Sequence, residues 1–165
     1  MSSLVLDSGL AALGFARWTT TKLLENLPEN KWCHQVTPNA NHALWVLGHI
    51  AWTDDSVLVD LGGRSWQCDE TYRALFAMKS TPVADPARYP SIATVRDFAH
   101  GIREELSAWF QGMSEEKLAA PTPTGWEFFA PTFAALMSSL ACHEALHAGQ
   151  ITVIRKALGM TPLSG

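Results

Sequence analysis

The chain has 165 residues, 47% hydrophobic and 17% charged, with a formal charge of −4, the proportions of a globular domain rather than of a disordered or fibrous chain. Twelve Lys plus Arg against sixteen Asp plus Glu exclude the basic face that non-specific nucleic-acid binding requires. No apolar run reaches the ~18–20 residues that span a bilayer, and Met1 to Leu10 carry no basic stretch ahead of an apolar one, so one cytoplasmic domain over residues 1–165 is expected, with no membrane and no nucleic-acid partner.

Helical periodicity marks four segments, and none shows sustained strand alternation. The first spans about Leu4 to Leu27, with Gly9, Leu13, Ala16, Thr20, Leu24 and Leu27 on one side and Pro28 as its stop. Arg17 falls on this stripe, where it either reaches a substrate carboxylate or snorkels to the surface. The second segment takes Thr37 as N-cap and Pro38 as its first helical residue and runs to Leu61, where Gly62 and Gly63 end it. Its aliphatic residues Leu44, Leu47, Ala51, Leu58 and Leu61 lie roughly opposite a face built of Trp45, His49, Trp52, Thr53 and Ser56. Trp45 and Trp52 therefore read either as the wall of a pocket or as packed core.

Residues 63–90 read as a long loop rich in Pro, Gly and polar groups. Such a loop can carry the chain across a bundle, so up-down-up-down order is not implied. The third segment starts at Ser91 and ends at Gly112, with Ile92, Val95, Ala99, Ile102, Leu106 and Phe110 in one stripe. Ser114 to Lys117 begin one short extra turn. The fourth segment spans Pro131 to Leu158, with Arg155 and Lys156 near its negative end, Gly159 as left-handed cap and Pro162 beyond.

His143-Glu144-Ala145-Leu146-His147 places two imidazoles one helical turn apart, within reach of one metal ion. At about 100° per residue, Phe133, Leu136, Leu140, Ile151, Ile154 and Leu158 fall close to His147, so the pair is expected in the core-facing stripe. Buried imidazoles need partners. A metal ion satisfies both at once, and hydrogen bonds to hydroxyls or carbonyls are the alternative. Glu144 lies about 80° to one flank, which reads as a group behind the ligands or facing solvent. A peptidase reading fails because no Asp, Glu or His follows His147 to complete that class of site.

A third ligand must come from another helix, and His49, midway along the second segment, is the best placed. His42 lies two turns away, about 10 Å, too far to share the ion. Cys142 points about 140° away from His147. Cys33 and Cys68 lie in connections, and the three cysteines make no C-x-x-C pair and no complete disulfide framework.

The run Asn41 to Trp52, containing Trp45-Val46-Leu47-Gly48-His49, and the run His143 to Ile151, containing His143, His147, Gly149 and Gln150 and followed by Arg155 and Leu158-Gly159, together resemble the DinB-like (DinB/YfiT-like) family of metal-binding four-helix bundles. The resemblance spans nearly the whole chain. It implies an all-α four-helix bundle of crossed helix order, with a long connection between the second and third helices, and frequently a homodimer. It implies metal ligands at His49, His143 and His147. Characterised relatives include metal-dependent thiol S-transferases and thiol-dependent isomerases that use low-molecular-weight thiols.

Three imidazoles leave a coordination position open, the arrangement of a catalytic site. The ion expected is Zn or Ni, with Fe or Co also compatible. Activation of a thiol for attack on a small electrophile is the leading reading, and metal-dependent hydrolysis is its alternative. A bundle that binds metal without catalysis, or a metal-free bundle with packed histidines, belongs to a different class. Glu144, Gln150 and Arg17 are the candidate assisting residues, with Gln150 placed to orient a ligand from behind.

Overall fold

In the computed structural model the described residues, 3–161 and 163, form six α-helices and no strand. These are α1 (Leu4–Leu24), α2 (Ala43–Asp60), α3 (Glu70–Phe76), α4 (Ile92–Gln111), α5 (Glu115–Ala119) and α6 (Phe133–Ala157), with 3-10 turns at Glu29–Lys31 and Pro86–Arg88. Among the described residues no helix is long and apolar enough to cross a membrane. Met1, Ser2 and the helix-stopping Pro162 lie outside the described residues.

Each helix starts where a side chain can accept from an otherwise unpaired amide. Ser91 accepts from Thr94 at 3.0 Å, Ser114 from Lys117 at 3.1 Å and Thr132 from Ala135 at 3.2 Å. The third segment and the short turn after it therefore begin as expected, whereas α6 starts after Thr132 rather than at Pro131. Gly159 adopts φ +70° past the end of α6, the left-handed conformation a helix stop needs. Helix α1 ends a turn before the expected Leu27, although Leu27 stays buried.

Helix α2 does not start at Thr37 and Pro38. The Ala40 amide closes a turn onto the Thr37 carbonyl at 3.0 Å, and Asn39 takes φ +63°, which breaks any helix there. His42 is the N-cap instead, its Nδ1 accepting from the Trp45 amide at 3.1 Å. Residues 63–90 are not a plain loop either. Asp69 caps α3, whose Tyr72 and Phe76 are buried against α2. Asp55, fully buried in α2, accepts from the Gln67 and Cys68 amides at 3.2 and 3.0 Å and pairs with Arg64 at 2.7 Å. One carboxylate thus ties the crossover to the bundle.

The four long helices pack with α1 chiefly along α6 and α2 chiefly along α4, while α2 also meets α6 and α1 lightly touches α4. The consecutive helices α1 and α2 share no extensive contact, so the order is crossed. Leu13, Ile50, Ile102, Leu106, Phe110, Leu136 and Ile151 fill the centre with at most 1% exposure. All of the stripe expected for the third segment is buried apart from Ile92, which is half-buried.

Candidate metal centre

His49 projects from the middle of α2 and His143 and His147 from the middle of α6, and one ligand atom from each lies within 4.8 Å of the others. The ring centroids stand 5.3 Å (His49 to His143), 4.9 Å (His49 to His147) and 4.6 Å (His143 to His147) apart. His49 is buried and the other two are half-buried. His42, fully buried at the N-terminus of α2 with its ring edge-on to Tyr89, is not part of this group.

Two of the three rings are oriented from behind. His49 Nδ1 lies 2.8 Å from the Phe76 carbonyl, which can only accept, so Nδ1 carries the proton and Nε2 keeps its lone pair for a metal. His147 Nδ1 lies 3.0 Å from Gln150 Oε1, which also accepts from Asn41 Nδ2 at 3.1 Å. Gln150 therefore imposes the same tautomer on His147. Trp45 stacks on His49 at 4.6 Å and 8° between planes, and Trp52 at 5.6 Å and 19°. Trp45 is itself held by its Nε1, which donates to the Leu75 carbonyl at 3.0 Å and Ser80 Oγ at 2.9 Å. Both indoles lie against the imidazole and restrict its rotation.

Burial is the main cause that lowers the pKa of all three rings. His49 falls to about 4, with the Phe76 carbonyl opposing and the neighbouring His147 assisting. His143 falls to about 3, with the charges of His147 and His49 next in weight, and His147 shifts the same way. All three are neutral at pH 7, the form that coordinates a metal. No cysteine joins the group: among the described residues the side chains that come together are His49, His143 and His147.

The expected centre of the α6 stripe needs correction. The buried face is Phe133, Leu136, Met137, Leu140, Ala141, Glu144, Ala148, Ile151, Ile154 and Arg155. Glu144, with no exposed surface, lies near its centre, and His143 and His147 stand about 100° and 60° away on one flank. Glu144 neither faces solvent nor turns toward the imidazoles as a base. Its Oε1 accepts from Arg17 Nε at 2.8 Å, and its Oε2 pairs with Arg103 Nη2 at 2.7 Å. Burial raises the Glu144 pKa, but the two arginines outweigh it and hold the group ionised.

Arg17 neither snorkels nor stands free for a substrate. Besides Glu144 it pairs with Asp54 Oδ2 at 3.2 Å and donates to the Ala99 carbonyl. Arg103 grips the same Asp54 through two bonds, Nε to Oδ2 at 2.8 Å and Nη2 to Oδ1 at 3.0 Å. Sequence reading missed Asp54 and Arg103, although each stands inside the apolar stripe of its own helix.

A family model described as the DinB superfamily matches residues 12–151, most of the chain. No curated protein matches it.

Proposed function

We propose that this chain, which belongs to the DinB superfamily, binds one divalent transition-metal ion, Zn or Ni, through His49, His143 and His147 and transfers a low-molecular-weight thiol to a small electrophile. The observation that carries the metal reading is the set of three neutral imidazoles whose ligand atoms lie within 4.8 Å of one another, two of them with Nδ1 tied to an oxygen acceptor. That donor set fits a borderline metal and cannot be mistaken for a calcium or magnesium site, which needs oxygen ligands. Held there, the ion supplies Lewis acidity that lowers the pKa of a thiol or water at an open position. The choice of thiol rests on the family resemblance.

The chain's own residues account for the rest of the site. The Phe76 carbonyl and Gln150 keep the imidazole protons on Nδ1. Trp45 and Trp52 shield His49 from water and leave an apolar surface for the electrophile. Glu144, committed to two arginines, is unavailable as a general base, which removes the chemistry a peptidase of the H-E-x-x-H type would use. The same reading takes the chain as a homodimer, with the stacked and exposed Phe15 and Trp18 of α1 as apolar surface for a second copy to cover; light scattering at twice the chain mass checks this.

Metal analysis of the wild type beside His49→Ala is the first test, followed by conjugation assays with glutathione, bacillithiol and mycothiol on activated electrophiles. About one ion per wild-type chain, loss of it in the variant and thiol-dependent turnover are expected. A wild type dialysed without chelator that contains no ion and takes up no zinc would sink the metal reading. Ester or amide hydrolysis without any thiol requirement would replace transfer with hydrolysis.

A further inference from the structure

Four charges meet at the centre of the bundle, one from each long helix: Asp54 of α2, Arg103 of α4 and Glu144 of α6, all buried, and Arg17 of α1, half-buried. Two cations balance two anions, so the set is neutral. Neutrality does not explain its presence, because well-packed apolar residues of similar volume serve stability as well or better than a buried ion-pair set. What a buried set of this kind can add is a unique register between elements.

The connectivity shows which elements are registered. Arg17 joins Asp54 to Glu144, at 3.2 and 2.8 Å. Arg103 joins the same two carboxylates, at 2.8 and 2.7 Å. Both arginines therefore bridge α2 to α6, the two helices that carry the three imidazoles. Left alone, the two carboxylates would repel each other across the core. Direct packing between α2 and α6 is also less extensive than the packing of α2 on α4 or of α6 on α1. The guanidinium groups, contributed by the two helices without a ligand, supply a link that direct side-chain packing supplies only in part.

From this we infer that Asp54, Arg17, Arg103 and Glu144 are positioning residues for the histidine cluster, setting the rotation of α6 against α2 and with it the spacing of His143 and His147 from His49. Glu144 sits in the helical turn between His143 and His147, so whatever fixes its carboxylate fixes the flank on which both rings stand. With side chains at about 5–6 Å from the helix axis, a 20° rotation of α6 would move each imidazole by roughly 2 Å. A functional constellation tolerates about 0.5 Å. Arg103 forks onto Asp54 with two donors and reaches Glu144 with one, and Arg17 spends separate nitrogens of one rigid plane on Glu144 and Asp54. That fixed plane is what resists the rotation, and a lysine would not. This inference rests on the metal reading above for its function, and its geometry can be tested apart from it.

The test loads wild type, Glu144→Gln, Asp54→Asn and Arg17→Lys with Co(II). It reads affinity by chelator competition, the visible ligand-field spectrum and the melting temperature. The imidazole NMR signals of the metal-free proteins are read beside them. All three variants are expected to weaken Co(II) binding about tenfold or more, in the range seen when groups behind metal ligands are removed. Their ligand-field bands and metal-free imidazole signals should shift, although none of the three residues touches the ion. Arg17→Lys, which keeps the charge but loses the fixed plane, should move in the same direction. If Glu144→Gln does not fold, Arg17→Lys decides. Variants that melt lower yet bind Co(II) with wild-type affinity and spectrum, with unmoved imidazole signals, would overturn the inference and leave the cluster merely structural. A wild type that takes up no Co(II) would overturn the metal reading, and the imidazole signals would still decide the positioning.

Discussion

His49 is held on more sides than either partner. The Phe76 carbonyl fixes its proton, Trp45 and Trp52 stack on its ring, and α2 is buried along nearly its whole length. His49→Ala should therefore abolish metal binding while leaving a folded helical protein, a result that circular dichroism and metal analysis together would establish. Gln150 has less packing and a sharper role, since its Oε1 meets His147 Nδ1 at 3.0 Å. Gln150→Leu should weaken metal affinity about 10–100-fold with little change in stability, as competition against a chromophoric chelator would report. His42 serves the fold instead. Burial takes its pKa down to about 4, with the Val83 and Trp32 backbone partly opposing, whereas an unfolded histidine titrates near about 6.5. Below that value the unfolded chain binds the proton first, so the His42 contribution is complete above pH ~6.5 and is lost as pH falls toward 4. Protonation would also remove the Nδ1 lone pair that caps α2. His42→Asn, which retains a capping oxygen, should lower the urea midpoint of the metal-free protein at pH 7.5, and the gap from wild type should narrow by pH 4.5.

The short helix α3 matters more to the site than its length suggests. It supplies the carbonyl of Phe76 to His49 and the carbonyl of Leu75 to Trp45, so two residues of the site depend on where it docks. Docking is set by Gly48: a Cβ at that position would overlap the Phe76 ring. Gly48→Ala should destabilise the protein by about 1–3 kcal/mol through overpacking. It should also weaken metal binding, because relief of the overlap moves Phe76 and its carbonyl away from His49. Denaturant midpoints and metal affinity measured on the same preparation check both effects. A stability loss with unchanged affinity would show that α3 can yield without carrying its carbonyl with it. The long helices were readable from periodicity and capping residues. α3 was not, because seven residues hold too few apolar positions to establish a period, and its buried Tyr72 and Phe76 gain meaning only against Gly48.

In the whole molecule the ion would join α2 to α6, the same pair that Arg17 and Arg103 bridge. Binding to the native state alone stabilises by mass action, about 2.7 kcal/mol when free metal is a hundred times its dissociation constant. For a chain of 165 residues that corresponds to a rise in melting temperature of roughly 5–10 °C. Thermal melts with zinc and with a chelator should differ by that amount in wild type and not at all in His49→Ala. A chain that unfolds entirely in chelator would instead identify the ion as a structural staple.

The sequence by itself determined the all-α class, the four long helices and the His143/His147 pair, each written in short-range signals: spacing along one helix or a motif inside one segment. The crossed order came from the family resemblance, which joined two distant motifs and with them named His49 as the third histidine. The tertiary structure alone decided where the α6 face points, because Glu144 looks like a surface residue until Arg17 and Arg103 neutralise it, and Arg155 until the Leu23 and Thr161 carbonyls and Asn26 Oδ1 accept from it. A helical wheel drawn on apolar residues assigns such charges to solvent, and so it placed the histidines in the stripe's centre and Glu144 on its edge. Asp54, Arg103, Arg17 and Glu144 lie far apart along the chain and become partners only once four helices converge, since the free energy of a buried charge depends on neighbours that no local pattern contains.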